Sequence, residues 1–310
     1  MREFALFAGS ANVDLAEAVA REMRIPLGAC AIERFPDGEL TVRLLEAVRQ
    51  SEVFIIQSLS PPVNEHLVEL LVFADASRRA AASCITAIVP YMGYARADKR
   101  HARREPITGR MVADLMQTVG IDHVVTVDLH APQIEGFFHA PVDSLTAVPT
   151  LYKTLGEDLS PDAVVVAPDA GAMRMATEYA HRIGTPVVVL HKRRETGTET
   201  KVTHLVGDVK GKACLIVDDM ISTGGTMAES IEALLAAGAR PEITIAATHG
   251  LFLPGAREKL THPSVRRVFV TDTVPVTEKD WPQLRVVSIA PLIAAAVQRF
   301  VRDVSISDLY

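Results

Sequence analysis

Seven short apolar runs alternate with helical patterns along the chain, and this alternation constrains the fold more than any other feature. The runs lie at 53–57, 85–90, 124–128, 163–167, 187–190, 214–217 and 243–248. They are rich in β-branched residues and too short for helices, so they read as strands. Strands separated by helices form parallel sheets covered on both faces, an α/β architecture. Before the last run, Met227, Ile231, Leu234 and Leu235 recur at helical spacing, and Gly238 stands where a C-terminal cap belongs. The stretch after Gly171 repeats the device, with Met173, Ala176, Tyr179, Ala180 and Ile183 followed by Gly184. Residues 291–301 read as a further helix.

The order strand, polar loop, helix, strand occurs at 53–91 and again at 213–249, with chemically different loops. This echo suggests two related halves, 1–149 and 150–310, divided near Pro149. A length of 310 residues suits two domains, and a hydrophobic share of 48% is enough to fill two cores. The formal net charge of −6 gives no bulk attraction to nucleic acid or anionic membranes, and neither is expected as a partner. Cys30, Cys84 and Cys214 each lie in an apolar run, without the spacing of a disulfide framework or a zinc site. They read as small buried hydrophobes in a reducing compartment. The apolar run at 4–7 is too short for a signal peptide, and no stretch reaches the length of a membrane span. A cytoplasmic location is expected.

The strongest chemical signal is Cys214-Leu-Ile-Val-Asp-Asp-Met-Ile-Ser-Thr-Gly-Gly-Thr226. An apolar strand runs into two adjacent acids and then into a small polar turn that opens a helix. Gly224 and Gly225 let the backbone approach an anion. Ser222, Thr223 and Thr226 add hydroxyl donors, and the helix N-terminus adds free N–H groups and partial positive charge. Asp218 and Asp219 emerge at the carboxyl end of the strand, where open α/β sheets place ligands. Carboxylates repel phosphate but accept hydrogen bonds from sugar hydroxyls. The combination fits a polyol that carries a phosphate. Gly207-Asp-Val-Lys-Gly-Lys-Ala213 has the wrong spacing for a Walker A loop and reads as a turn.

The loop resembles the phosphoribosyl pyrophosphate loop shared by phosphoribosyltransferases and ribose-phosphate diphosphokinases. Five further segments resemble the second family. Phe35-Pro-Asp-Gly-Glu39 carries a strong turn signal, and the resemblance implies that Phe35, Asp37 and Glu39 belong to an ATP site, the ring against adenine. The segment Tyr91 to Thr108 holds Arg96, Lys99, Arg100, Arg103 and Arg104 after an apolar strand, a placement that suits a polyanion such as a triphosphate. The resemblance implies that Arg96 and Asp98 contact ATP. Ala97 stands where the family commonly has glutamine and brings no polar contact of its own. In Val127-Asp-Leu-His130 and Val166-Ala-Pro-Asp169 the resemblance implies that His130 and Asp169 serve a metal. The implied cofactor is Mg²⁺, which prefers oxygen ligands and keeps several waters.

The fifth segment is His191-Lys-Arg-Arg-Glu-Thr-Gly-Thr-Glu-Thr-Lys-Val202. The resemblance implies that Lys192 and Arg194 are catalytic and act on the transferring diphosphate, although the wording beyond Arg194 departs from the commonest bacterial pattern. Nothing apolar in 193–201 would anchor the segment to a core, so a lid that orders around ATP is expected. Ser222 and Gly224 also depart from that pattern, which has an acid and alanine there. The resemblance spans nearly the whole chain. It implies two tandem phosphoribosyltransferase-like domains, each a mostly parallel sheet flanked by helices. The first carries the ATP segments, the second the ribose 5-phosphate loop and the C-terminal helix. The implied reaction moves the diphosphate of ATP to the 1-hydroxyl of ribose 5-phosphate, giving AMP and phosphoribosyl pyrophosphate. It also implies a homo-oligomer, since in the family the 35–39 turn reaches a neighbouring subunit. A salvage phosphoribosyltransferase and a non-catalytic regulatory relative are the alternatives. A nucleic-acid-binding repressor would need an added DNA-binding element, and none is expected.

Overall fold

The computed structural model of the chain describes residues 3–309 except His101, Glu157, 195–199 and Lys279, and within 192–203 only the backbone. The chain forms two compact units, Met1–Thr146 with Ser288–Tyr310, and Ala147–Val287.

The first unit opens with β1 (Phe4–Ala8) and α1 (Val13–Met23). The side chain of Asn12 caps α1 by accepting from the Leu15 N–H. Two strands, β2 (Cys30–Arg34) and β3 (Leu40–Leu44), pair antiparallel as a ribbon of their own. Then follow β4 (Glu52–Ile56), α2 (Val63–Arg79), β5 (Cys84–Val89), α3 (Thr108–Thr118), β6 (His123–Val127) and β7 (Val142–Leu145). Among the described residues, β1-β4-β5-β6-β7 form a five-stranded parallel sheet in that order. β4 is buried along its whole length, as a central strand covered on both faces must be. Phe7, Val53, Ile55, Leu70, Phe73 and Ile85 belong to one core.

The second unit contains α4 (Val148–Leu155), β8 (Val164–Ala167), α5 (Met173–Ile183), β9 (Val187–Arg194) and β10 (Thr200–Val206). It continues with β11 (Cys214–Ile221), α6 (Gly225–Ala236), β12 (Ile243–Gly250), α7 (Ala256–Leu260), β13 (Val265–Thr271) and β14 (Leu284–Val287). The described strands order as β10-β9-β8-β11-β12-β13-β14, and only β10 runs antiparallel to its neighbour. From β8 the chain crosses through α5 to β9 on one side. From β11 it crosses through α6 to β12 on the other. The two connections diverge, so a crevice opens beyond the carboxyl ends of β8 and β11, the switch point where such sheets bind ligands.

Both predicted helices sit on this sheet. α5 buries Met175, Ala176, Tyr179 and Ala180, and Gly184 ends it at φ 79° by donating to the Ala180 carbonyl. Met175 takes the inward place expected for Met173, which is half-buried. α6 buries Met227, Ile231 and Leu234, and Gly238 follows its end at φ 86°. Residues 207–213 form a turn, as the wrong Walker spacing implied. The strand expected to stop at Leu190 continues to Arg194, paired with β10.

The helix Ala290–Val301 corrects the expected division at residue 149, which left 150–310 together. It belongs to the first unit and lies against α1. Its inner face, Ile293, Ala294, Val297 and Val301, is buried. Phe300 stacks on Phe54 of β4 at a centroid distance of 6.5 Å and meets His123 edge-on at 4.8 Å. An apolar helix face goes where uncovered apolar surface remains, whatever its distance along the chain. Among the described residues no helix is long and apolar enough to cross a membrane.

Candidate functional site

The second unit builds an anion cradle from the end of β11. Cys214–Val217 are buried, and Asp218, Asp219 and Met220 become half-buried as the strand leaves the core. Gly224 has φ 72°, and a Cβ there would lie 3.1 Å from the Ala256 carbonyl oxygen. Conformation and space both select glycine. The first bond inside α6 runs from the Ala228 N–H to the Gly224 carbonyl at 3.0 Å. Helix geometry therefore leaves the N–H groups of Gly225, Thr226 and Met227 without helical partners. Ser222 and Thr226 are half-buried and Thr223 is exposed.

The carbonyl side of the same turn is engaged from behind. Leu251 and Phe252 donate to Ile221 O at 2.9 and 3.2 Å, and Leu253 donates to Ser222 O at 3.0 Å. Lys259 Nζ donates to Thr223 O at 3.0 Å. With its acceptors tied back, the turn presents donors at the crevice, the polarity a phosphate needs.

Three carboxylates stand beside it. β8 is hydrogen-bonded to β11, which brings Asp169, just past β8, near the acid pair. Asp169 Oδ1 accepts from the N–H groups of Gly171 and Ala172 at 2.8 and 3.3 Å, so this acid also shapes the turn into α5. Asp218 Oδ1 accepts from the Asp219 N–H at 3.0 Å. Burial first, then the carboxylates of Asp219 and Asp169, push the Asp218 carboxyl well above the usual carboxylate range.

This shift has a sign. An acid whose pKa rises on folding stabilises the fold fully below its unfolded pKa, and that contribution is lost as pH rises through the folded value. The free protein should thus lose stability on the alkaline side of the ordinary value of 3.8. Asp218→Asn keeps the shape and removes the titration. Its melting temperature should exceed the wild type's at about pH 8, with the gap narrowing toward about pH 5. Parallel curves for the two proteins would mean that the Asp218 carboxyl is not raised on folding.

The first unit holds the other candidates. Phe35, Asp37 and Glu39 lie on the turn joining β2 to β3, and all three are exposed, Phe35 at 45%. The turn closes on itself: the Phe35 N–H donates to Glu39 O at 2.8 Å, and the Glu39 N–H to Asp37 Oδ1 at 3.1 Å. A 45% exposed phenylalanine on a ribbon tip is available to stack on a flat ring. Arg96, Lys99, Arg100, Arg103 and Arg104 are all exposed between β5 and α3. Asp98 accepts from the side-chain amide of Gln133, which ties this basic segment to the turn that follows His130. His130 is exposed. The side chains of Lys192 and Arg194, at the end of β9, and residues 195–199 lie outside the described residues.

Sequence reading missed two supports. Asp128 is buried, adopts φ 41° and accepts from Thr146 Oγ1 at 2.9 Å. Positive φ is unfavourable for a residue with a Cβ, so this buried bond holds the bend that leads to His130. Lys259 is the other, and its only sequence signal was a basic residue in a short helical stretch.

Comparison with known proteins is consistent from end to end. A family profile for the N-terminal domain of ribose phosphate pyrophosphokinase matches residues 4–120. A phosphoribosyl transferase domain profile matches residues 147–281. A ribose-phosphate pyrophosphokinase of Clostridium tetani is 40% identical over 309 residues, covering 98% of this chain and 96% of that protein. One from Corynebacterium efficiens is 44% identical over 310 residues, covering 98% and 95%. The crystal structure of phosphoribosylpyrophosphate synthetase from Mycobacterium smegmatis superposes with a TM-score of 0.91 at 44% identity, covering 97% of this chain and all of that one.

Proposed function

Since the chain belongs to the ribose-phosphate pyrophosphokinase family, we propose a role for each candidate side chain, unit by unit. The enzyme transfers the diphosphate of ATP to the 1-hydroxyl of ribose 5-phosphate and releases AMP. The observation that carries the assignment of roles is the β11–α6 turn, a donor-lined cradle beside an acid pair at the switch point of its sheet. In the second unit, Ser222, Thr223, Gly224, Gly225 and Thr226 hold the 5-phosphate through hydroxyl and N–H donors. Asp218 and Asp219 accept from the ribose hydroxyls and orient the sugar. In the first unit, Phe35 stacks on adenine, Asp37 and Glu39 accept from it or its ribose, and Arg96 and Asp98 bind ATP.

The reaction forms a bond from the ribose O1 to the β-phosphorus and breaks the bond between that phosphorus and the α–β bridging oxygen, which leaves with AMP. Such transfers depend on positioning and charge stabilisation more than on covalent help. Lys192 and Arg194 stabilise the charge that builds on the β-phosphate and the leaving oxygen.

Among the described residues no group of three or more His, Cys, Asp or Glu side chains is set to hold a metal by itself. Asp169 uses one carboxylate oxygen in its turn and has the other to offer. One or two protein contacts of this kind suit Mg²⁺, which keeps waters and binds with substrate phosphates. We propose that Asp169 serves Mg²⁺ in this way, and that His130, in its own unit, is also a residue that serves it. When bound, Mg²⁺ neutralises phosphate charge on ATP.

We also propose a homo-oligomer, supported by the exposed 35–39 turn. AMP formation from ATP and ribose 5-phosphate, with no base added, tests the function. Specific activity should fall when the enzyme is diluted to nanomolar concentration. A fully active nanomolar monomer would rule out the oligomer. A requirement for a purine or pyrimidine base would favour a salvage transferase.

A further inference from the structure

A buried acid with a full set of partners lies beneath the β2–β3 ribbon. Glu69, on α2, has a side chain with 0% exposure. Its Oε1 accepts from the Ser10 N–H at 2.6 Å and from Gln57 Nε2 at 2.9 Å. Its Oε2 accepts from Ser10 Oγ at 2.6 Å and from Arg34 Nη2 at 2.9 Å. Gln57 is held in turn, its Oε1 accepting from the Ala11 N–H at 3.1 Å. Gly9 leaves room for it, since a Cβ there would lie 2.2 Å from that oxygen. Arg34 completes the set by donating to Ser10 Oγ at 3.1 Å and to Glu65 Oε2 at 3.1 Å. The ends of β1 and β4, the helix α2 and the ribbon thus meet at one carboxylate.

Stability alone explains this poorly. Glu69 is buried while Arg34 is 39% exposed, and an ion pair to a buried carboxylate is commonly no more stabilising than apolar packing of the same volume, but it does fix geometry. What it fixes here is specific. Arg34 is the last residue of β2, and Phe35 is the next. Among the described residues the ribbon joins no strand ladder of the main sheet; Val42 packs its body on the core, and Arg34 ties down the end that carries the turn. We propose that Glu69, acting through Arg34, is a positioning residue that sets where the Phe35–Glu39 turn stands for the nucleotide. This rests on the reading of Phe35, Asp37 and Glu39 as nucleotide-binding.

Without the tie, the turn is competent for only a fraction of the time, and the apparent affinity for ATP falls by that fraction. Arg34→Met keeps much of the stem and removes the charge. It should raise KM for ATP about tenfold, leave kcat at saturating ATP within about twofold, and leave KM for ribose 5-phosphate unchanged. Glu69→Gln should move the same way, and Arg34→Lys should recover part of the loss. Phe35→Ala tests the underlying reading: an unchanged KM for ATP there removes the nucleotide turn itself. If Phe35→Ala raises that KM while Arg34→Met melts like the wild type and binds ATP normally, the positioning role is overturned. Should Arg34→Met fail to fold, Glu69→Gln decides, since a normal KM for ATP in that folded variant overturns the role equally.

Discussion

Lys192→Ala should fold, bind ATP nearly as the wild type does, and turn over about 10²–10³ times more slowly. The expectation comes from when the charge appears. In ground-state ATP the phosphate charge is already met by solvent and cation. During transfer, new charge gathers on the β-phosphate and on the oxygen departing with AMP, and a fixed ammonium there acts mainly on the transition state. Removing it takes roughly 3–4 kcal/mol from transition-state stabilisation and little from substrate binding. The backbone of Lys192 lies on β9, the sheet neighbour of β8, and β8 leads to Asp169. Steady-state kinetics with ATP varied at saturating ribose 5-phosphate separates the two effects. A near-normal kcat, or a defect confined to KM for ATP, would contradict a catalytic role for Lys192.

Asp219→Asn should leave the protein folded and collapse its use of ribose 5-phosphate. The side chain is half-buried, and the replacement is nearly isosteric, so packing is preserved. Its neighbour Asp218 already carries repulsion from Asp219, so losing this charge should not lower the melting temperature of the free protein. What is lost is a carboxylate that accepts from sugar hydroxyls on both oxygens. An amide accepts on one side and donates on the other. A hydrogen bond to a charged group is worth about 1.5–3 kcal/mol, so kcat/KM for ribose 5-phosphate should drop about 10–10²-fold for each bond lost. KM for ATP should hardly change. Unchanged ribose 5-phosphate kinetics would place Asp219 outside the sugar site.

The parts of this molecule that were legible in its sequence are those made of neighbouring residues. The strands at the centre of each sheet are continuous apolar runs, and each of the seven expected appears. The β11–α6 turn could be read because acids, glycines, hydroxyls and helix start are contiguous in 218–226. The last two strands of the second sheet were harder. β13 begins Val-Arg-Arg and β14 has only four residues with a mixed burial pattern, so neither stands out as a run. The placement of the helix Ala290–Val301 was not legible either, since an apolar face does not say which of two cores will cover it. The same holds for the supports of the site. Lys259 meets Thr223 across 36 residues, and Glu69 meets Ser10 across 59. Only folding brings such partners together, and no local spacing marks them.

The central claim is that a diphosphate, rather than a single phosphoryl group, passes from ATP to the ribose anchored at the β11–α6 turn. ATP labelled at the β-phosphorus, incubated with ribose 5-phosphate and Mg²⁺, tests this most directly. The label should appear in the sugar product with unlabelled AMP released in equal amount, and no label should move when ribose 5-phosphate is omitted. Label retained on the nucleotide as ADP would contradict the account.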